Sequence, residues 1–159
     1  MKKQITLLPY NTYLAVIKNS VDSDIFRNLY AKIDGKKVDI VRNGNLSCAF
    51  YVSSVLTIFQ LIQKPHGTVE GTIKDLVQSG WNKLKTPKIG SVLVWEELNF
   101  NDGEKHKHIG FYIGDNKAIS NSEKLGQPKI HHWTYGTIKR KPVRKVEAIY
   151  WNKKYLKIK

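Results

Sequence analysis

One cysteine and five histidines carry most of the nucleophilic and proton-transfer chemistry open to this 159-residue chain. Cys48 follows the turn-like stretch Asn43-Gly44-Asn45-Leu46-Ser47 and opens an apolar run that reaches Ile62. A thiol at a helix start meets unpaired backbone N–H groups and the positive end of the helix dipole, and both favour thiolate. His108 begins the strand-like run His108-Ile109-Gly110-Phe111-Tyr112-Ile113, which Gly114-Asp115-Asn116-Lys117 closes as a turn. An imidazole beside a thiol can hold a thiolate–imidazolium pair and shuttle a proton during acyl transfer. The first-turn N–H of Cys48 has no intrahelical acceptor, so it is available to an oxyanion.

A third group should orient the His108 ring through its second nitrogen. If Asp115-Asn116 form a two-residue turn, Gly110 faces Asn121 across the hairpin, and Asn121 shares the face of His108. A register one residue different puts Ser120 there instead. An amide oxygen is the better acceptor for an imidazole, which favours Asn121, with His131 or His132 on the next strand in reserve. Trp81, Trp95, Tyr112 and His132 are the candidate substrate-binding residues. A metal site built on His106, His108, His131 and His132 is disfavoured. No two histidines show helical ligand spacing with an acidic partner, and Lys105 and Lys107 add positive charge. No cofactor is implied.

These groups need elements to position them. The spacing predicts a helix over Asp24–Lys32, capped by Ser23 or Asp22, then a turn at Asp34–Lys37 and an extended Val38–Val41. A longer helix is expected from Cys48 to about Gln63. Its polar residues Ser53, Thr57, Gln60 and Lys64 form one narrow stripe, so most of its surface should be covered. Another helix over Val69–Ser79 should stop at Gly80. The pattern then changes to period two. Strands are expected over Ile89–Trp95, Lys107–Ile113, Lys117–Asn121, Ile130–Tyr135 and Val146–Trp151. Helices followed by strands indicate an α+β fold with the cysteine helix packed on an antiparallel sheet. Residues 1–40 read as an N-terminal extension packed on the core, and 41–159 as the hydrolase domain, within a single compact unit.

The formal charge of +14 implies attraction to something polyanionic, such as nucleic acid, anionic lipid or an acidic cell-wall polymer. Basic residues are thickest at Lys139-Arg140-Lys141, at Arg144-Lys145 and from Lys153 onward, and no zinc-finger spacing or aromatic RNA-binding motif accompanies them. A single cysteine excludes an internal disulfide. Pro9, Asn11 and Thr12 interrupt the apolar Ile5–Leu8, so no export signal is expected, and Cys48–Ile62 is short for a membrane span.

In this order the motifs resemble the NlpC-type and CHAP peptidoglycan hydrolases. The residues that carry the likeness are Cys48, Gly80-Trp81, Pro87, Gly90-Ser91-Val92-Leu93-Val94-Trp95 and His108-Ile109-Gly110-Phe111-Tyr112-Ile113-Gly114. The resemblance implies a papain-like α+β fold, with Cys48 as nucleophile, His108 as base and a polar third residue. It also implies cleavage of amide bonds in cell-wall peptides or between sugar and peptide. Around the cysteine the chain departs from NlpC-type enzymes: Ser47 stands where they carry Asp, and Ala49-Phe50 where they carry Ser-Gly. The expectation is therefore a cysteine peptidase or amidase acting on a peptide or peptidoglycan-like substrate. The alternative is a non-catalytic basic module that binds nucleic acid or an anionic polymer on such a scaffold.

Overall fold

The computed structural model describes residues 3–100 and 103–153. Helix α1 (Pro9–Asn19) has Pro9 in its first turn, where a missing N–H costs nothing. It buries Tyr13 and Ile17, one helical turn apart, in the same apolar cluster as Tyr51, Val55 and Phe111. The Tyr13 hydroxyl donates to the Gly90 carbonyl at 2.8 Å, which ties the N-terminal segment to the sheet.

The helix expected over Asp24–Lys32 does not form. Instead the chain turns, and β1 (Tyr30–Ile33) pairs with β2 (Lys36–Asp39) around Asp34-Gly35, both at positive φ. The Asp39 carboxylate takes the N–H groups of Leu29, Val41 and Asn43 at 3.0, 3.2 and 2.8 Å, drawing this segment into a loop. Burial pulls that carboxyl upward, but these bonds and one from Asn28 outweigh it and leave its pKa lowered.

Helix α2 (Cys48–Ile58) ends well short of Gln63. Gln60 adopts φ 54°, its N–H bonds Thr57 O, and Leu61 N–H bonds Leu56 O, the paired closure of a Schellman motif. Helix α3 (Val69–Gln78) is capped by Thr68, whose hydroxyl accepts from Gly71 N–H at 3.1 Å. It ends in the same closure, with Gly80 at φ 85°.

A two-residue β3 (Asn82–Lys83) leads to β4 (Val92–Asn99), β5 (Lys105–Gly114), β6 (Lys117–Ser122) and β7 (Gln127–His132). The short hairpin β8 (Thr137–Ile138) and β9 (Lys141–Pro142) precedes β10 (Val146–Trp151). The main sheet is antiparallel, in the order β3-β10-β4-β5-β6-β7. Val92, Val94, Ile109, Phe111 and Ile119 pack with the helices, while Leu93, Trp95 and Ala118 form a separate cluster with Tyr112 and Trp133.

This arrangement corrects the papain-like expectation of a long central helix laid on a sheet. Among the described residues there are three short helices, and the six-stranded antiparallel sheet dominates. The cause lies at Gln60, where the chain turns out of the helix and the apolar run continues as coil.

Candidate active site

The loop before Cys48 is set by backbone geometry. Arg42, Asn43 and Gly44 all have positive φ. Gly44 lies so close to the β6–β7 turn that a Cβ on it would fall 2.6 Å from Gly126 Cα. Ser47 anchors the entry to α2 by donating its hydroxyl to the Phe26 carbonyl. The Asn121 amide donates to Gly44 O at 2.7 Å, binding this loop to β6. Its own carbonyl oxygen is buried without a hydrogen-bond partner.

Cys48, in the first turn of α2, and His108, on β5, line one cleft of about 590 Å³ together with Ser120, Asn121, His131, Tyr135 and Arg144. No hydrogen bond joins the thiol to the imidazole. Burial pushes the Cys48 thiol up to about 11, against the opposing pull of the Ile109 and Ala49 N–H groups and of the Arg144 charge. Burial also holds His108 well below the ordinary histidine range, with Arg144 and His131 adding to the effect. At neutral pH both groups are uncharged.

The hydrogen bonds around Ser120 settle the tautomers. His131 Nδ1 is 2.8 Å from the His132 carbonyl, which can only accept, so Nδ1 carries the proton. In the neutral ring Nε2 is then an acceptor, and Ser120 Oγ, 2.7 Å away, must donate to it. Burial lowers the His131 pKa and keeps that ring neutral, outweighing the bond to the carbonyl. Ser120 Oγ is left with lone pairs for His108 Nε2–H at 2.8 Å and the Tyr135 hydroxyl at 3.2 Å. His108 therefore presents an unprotonated Nδ1, which has no hydrogen-bond partner among the described residues.

Aromatic rings fix this chain in place. Tyr135 stacks on His131 with centroids 4.1 Å apart, and Trp95 lies 5.4 Å from the His108 ring and 5.6 Å from that of His131. Trp95 is fully buried and donates to Trp133 O at 2.7 Å. Arg144 gives Nε and Nη2 to the Glu96 carbonyl at 3.2 and 2.9 Å. Its carbon Cζ is 5.9 Å from the Tyr135 ring centroid.

Of the residues expected from sequence, Cys48, His108 and Asn121 come to one cleft, but Ser120 is the one bonded to His108. Trp81 is buried in the main core, donating to Leu61 O at 2.9 Å, and Trp95 forms the floor beneath the histidines. Tyr112 packs on Trp133 in the second cluster. His132 uses Nδ1 to accept from Thr134 N–H and Gly136 N–H, each at 3.2 Å. None of these four lines the cleft. Tyr135 and Arg144 join the site without a signal in the sequence. A turn at positive φ swings Tyr135 over His131, and Arg144 stands along the chain within a run of cationic residues that reads as solvated surface.

Among the described residues, no group of three or more His, Cys, Asp or Glu is placed to hold a metal ion. No described helix is long and apolar enough to cross a membrane. The chain matches no protein-family profile and no curated protein.

Proposed function

We propose that the protein is a cysteine hydrolase that cleaves an amide bond through an acyl-enzyme on Cys48. The observation that carries this is the hydrogen-bonded run His108–Ser120–His131–His132 O. It fixes one tautomer of an imidazole that lines the same cleft as Cys48. The order of motifs shared with NlpC-type and CHAP enzymes supports the same chemistry and suggests a cell-wall peptide as substrate.

With thiol and imidazole both neutral at rest, attack and proton transfer are concerted. The S–H proton passes to His108 Nδ1 as the sulfur bonds to the substrate carbonyl carbon. The oxyanion that forms meets the N–H groups at the start of α2. The Nδ1–H of the imidazolium then protonates the leaving amine as the C–N bond breaks. Water attacks the thioester, giving its proton to His108, and the returning proton releases the thiol with a free carboxylic acid. An imidazolium with a depressed pKa is a strong acid, which suits departure of an amine. Ser120 and His131 keep the ring in the productive tautomer throughout.

The exposed β8–β9 hairpin with Lys139, Arg140 and Lys141 would gather the enzyme on an anionic polymer. Digestion of purified peptidoglycan tests the reading, with new amino termini counted and Cys48 inspected by mass spectrometry for an acyl adduct. Release by wild type, and loss of release in Cys48→Ala and His108→Ala, is expected. Equal release by Cys48→Ala would sink it.

A further inference from the structure

Arg144 is a buried cation that makes no direct ion pair among the described residues. Only 8% of it is exposed, and no carboxylate of the described residues lies within ion-pair distance. The charges of Glu96 and Glu123 act on Arg144 from a distance without offsetting its burial, and Glu96 bonds it through the backbone carbonyl. The Glu96 side-chain Oε1 accepts instead from Lys145 N–H at 2.8 Å. Nε and Nη2 are occupied by the carbonyls of Glu96 and His106, which leaves Nη1 without a carbonyl partner on a guanidinium that neighbours the Tyr135 hydroxyl in the wall of the cleft. Burying a guanidinium without a counter-charge is costly, and a fold retains one where something else supplies the anion. The rest of the lining is also cationic, with Lys105 and Lys124 beside Glu70 and Glu123, while Lys107 and Lys129 are paired with Glu147 and Asp22.

From this the geometry points to Arg144 as the receptor for a carboxylate of the substrate, so that the enzyme takes an acyl donor bearing a negative charge close to the scissile amide. A guanidinium N–H can give a carboxylate oxygen one charge-assisted hydrogen bond, the Tyr135 proton being already committed to Ser120. The inference deepens the hydrolase reading by naming its substrate class. Burial is the main cause of the low His108 pKa, and a bound carboxylate would offset the smaller contribution that Arg144 adds to it.

Cys48 itself can read the receptor, through alkylation by iodoacetate, which carries a carboxylate, and by neutral iodoacetamide. Their rate ratio, normalised to that for free cysteine, should favour iodoacetate by about tenfold in wild type, the worth of one charge-assisted hydrogen bond. In Arg144→Gln the normalised ratio should fall to about one. Arg144→Lys should recover part of it, and Lys36→Gln, which removes the same charge from an exposed strand away from the cleft, should leave it unchanged. A wild-type ratio equal to that of Arg144→Gln overturns the receptor while leaving a reactive Cys48 and the hydrolase reading intact. If Cys48 resists both reagents, the hydrolase reading falls instead. The receptor is then read in Cys48→Ala by NMR of the Arg144 Nε–H during an acetate titration. Saturable movement supports it and a static resonance overturns it.

Discussion

Gly110 and Ser120 stand directly opposite each other on β5 and β6, and the contact leaves no room for a side chain at 110. A Cβ there would come 2.7 Å from Ser120 Cβ, 2.6 Å from Ile119 O and 3.0 Å from Trp95 Cη2. The serine that bridges the two histidines sits over this gap. Gly110→Ala should therefore push Ser120 or Trp95 aside, at a cost of about 1–3 kcal/mol in unfolding free energy. Denaturant titration measures that cost, and a stability equal to wild type would show that the gap can open freely.

Ser120→Ala removes the hydroxyl that both accepts from His108 and donates to His131. The His108 ring would then be free to adopt the other tautomer, with the proton on the nitrogen that should accept one. We expect kcat/KM to fall about a hundredfold with KM little changed. Nitrogen-15 NMR of the imidazoles gives a readout independent of substrate. His108 should show one neutral tautomer in wild type, protonated at Nε2, and a mixture in the variant. A mixture already present in wild type would contradict the assignment.

Much of the sheet was legible because period-two runs and turn residues agree, and β10 spans Val146–Trp151 as its pattern indicates. The helix that Cys48 opens was legible at its start but not at its end, since a Schellman closure with Gln at the left-handed position carries no glycine to announce it. The register of the hairpin was the consequential loss. Asp115-Asn116 do form a two-residue turn, with Gly114 opposite Lys117, yet Ile113 bulges out and Tyr112 pairs with Ala118. One extra residue moves Ser120 to the place that Asn121 would otherwise hold. Nothing in the residue types around Ile113 signals such a bulge. Helix α1 was hidden for a different reason: Pro9 reads as a break in the apolar N-terminus, whereas in the fold it opens the helix. The cation at Arg144 was hidden by its neighbours, because Lys139 to Lys145 reads as one solvated cluster and only the fold separates its buried member.

Stability should fall at both ends of the pH scale, for opposite reasons. The folded-state pKa of His108 is depressed, so the native state favours the neutral ring. That contribution is present above the unfolded value near 6.5 and is lost as pH falls below it. The thiol of Cys48 is raised to about 11, so its contribution is present below its ordinary value near 9 and is lost as pH climbs from there. Thermal unfolding across pH should show an alkaline loss that sets in earlier in wild type than in Cys48→Ala. The later part belongs to Tyr13, Tyr51 and Tyr135, which burial raises above their ordinary value of 10.0. His108→Asn should remove part of the acid limb, the remainder belonging to His131 and, at lower pH, to the depressed carboxylates of Asp39 and Asp75. An alkaline limb that persists unchanged in Cys48→Ala would mean that the thiol titrates normally.

Asn121 and Ser120 are neighbours on one strand with separate tasks, and their variants should fail differently. The side chain of Asn121 points to the α2 side, where its amide holds the Gly44 carbonyl at 2.7 Å and so fixes the loop that delivers Cys48. That nitrogen must face the carbonyl, because two oxygens there would repel, and the orphaned oxygen is the consequence. Asn121→Ala leaves Gly44 O buried without a donor, which should cost about 1–3 kcal/mol of stability. The His108 tautomer should stay as in wild type, since Ser120 and His131 are untouched. The two variants thus cross over: Asn121→Ala loses stability and keeps the ring state, while Ser120→Ala disturbs the ring state first. If Asn121→Ala instead scrambled the His108 tautomer at unchanged stability, the amide and not the hydroxyl would be orienting the base, and the chain of bonds through Ser120 would have to be given up.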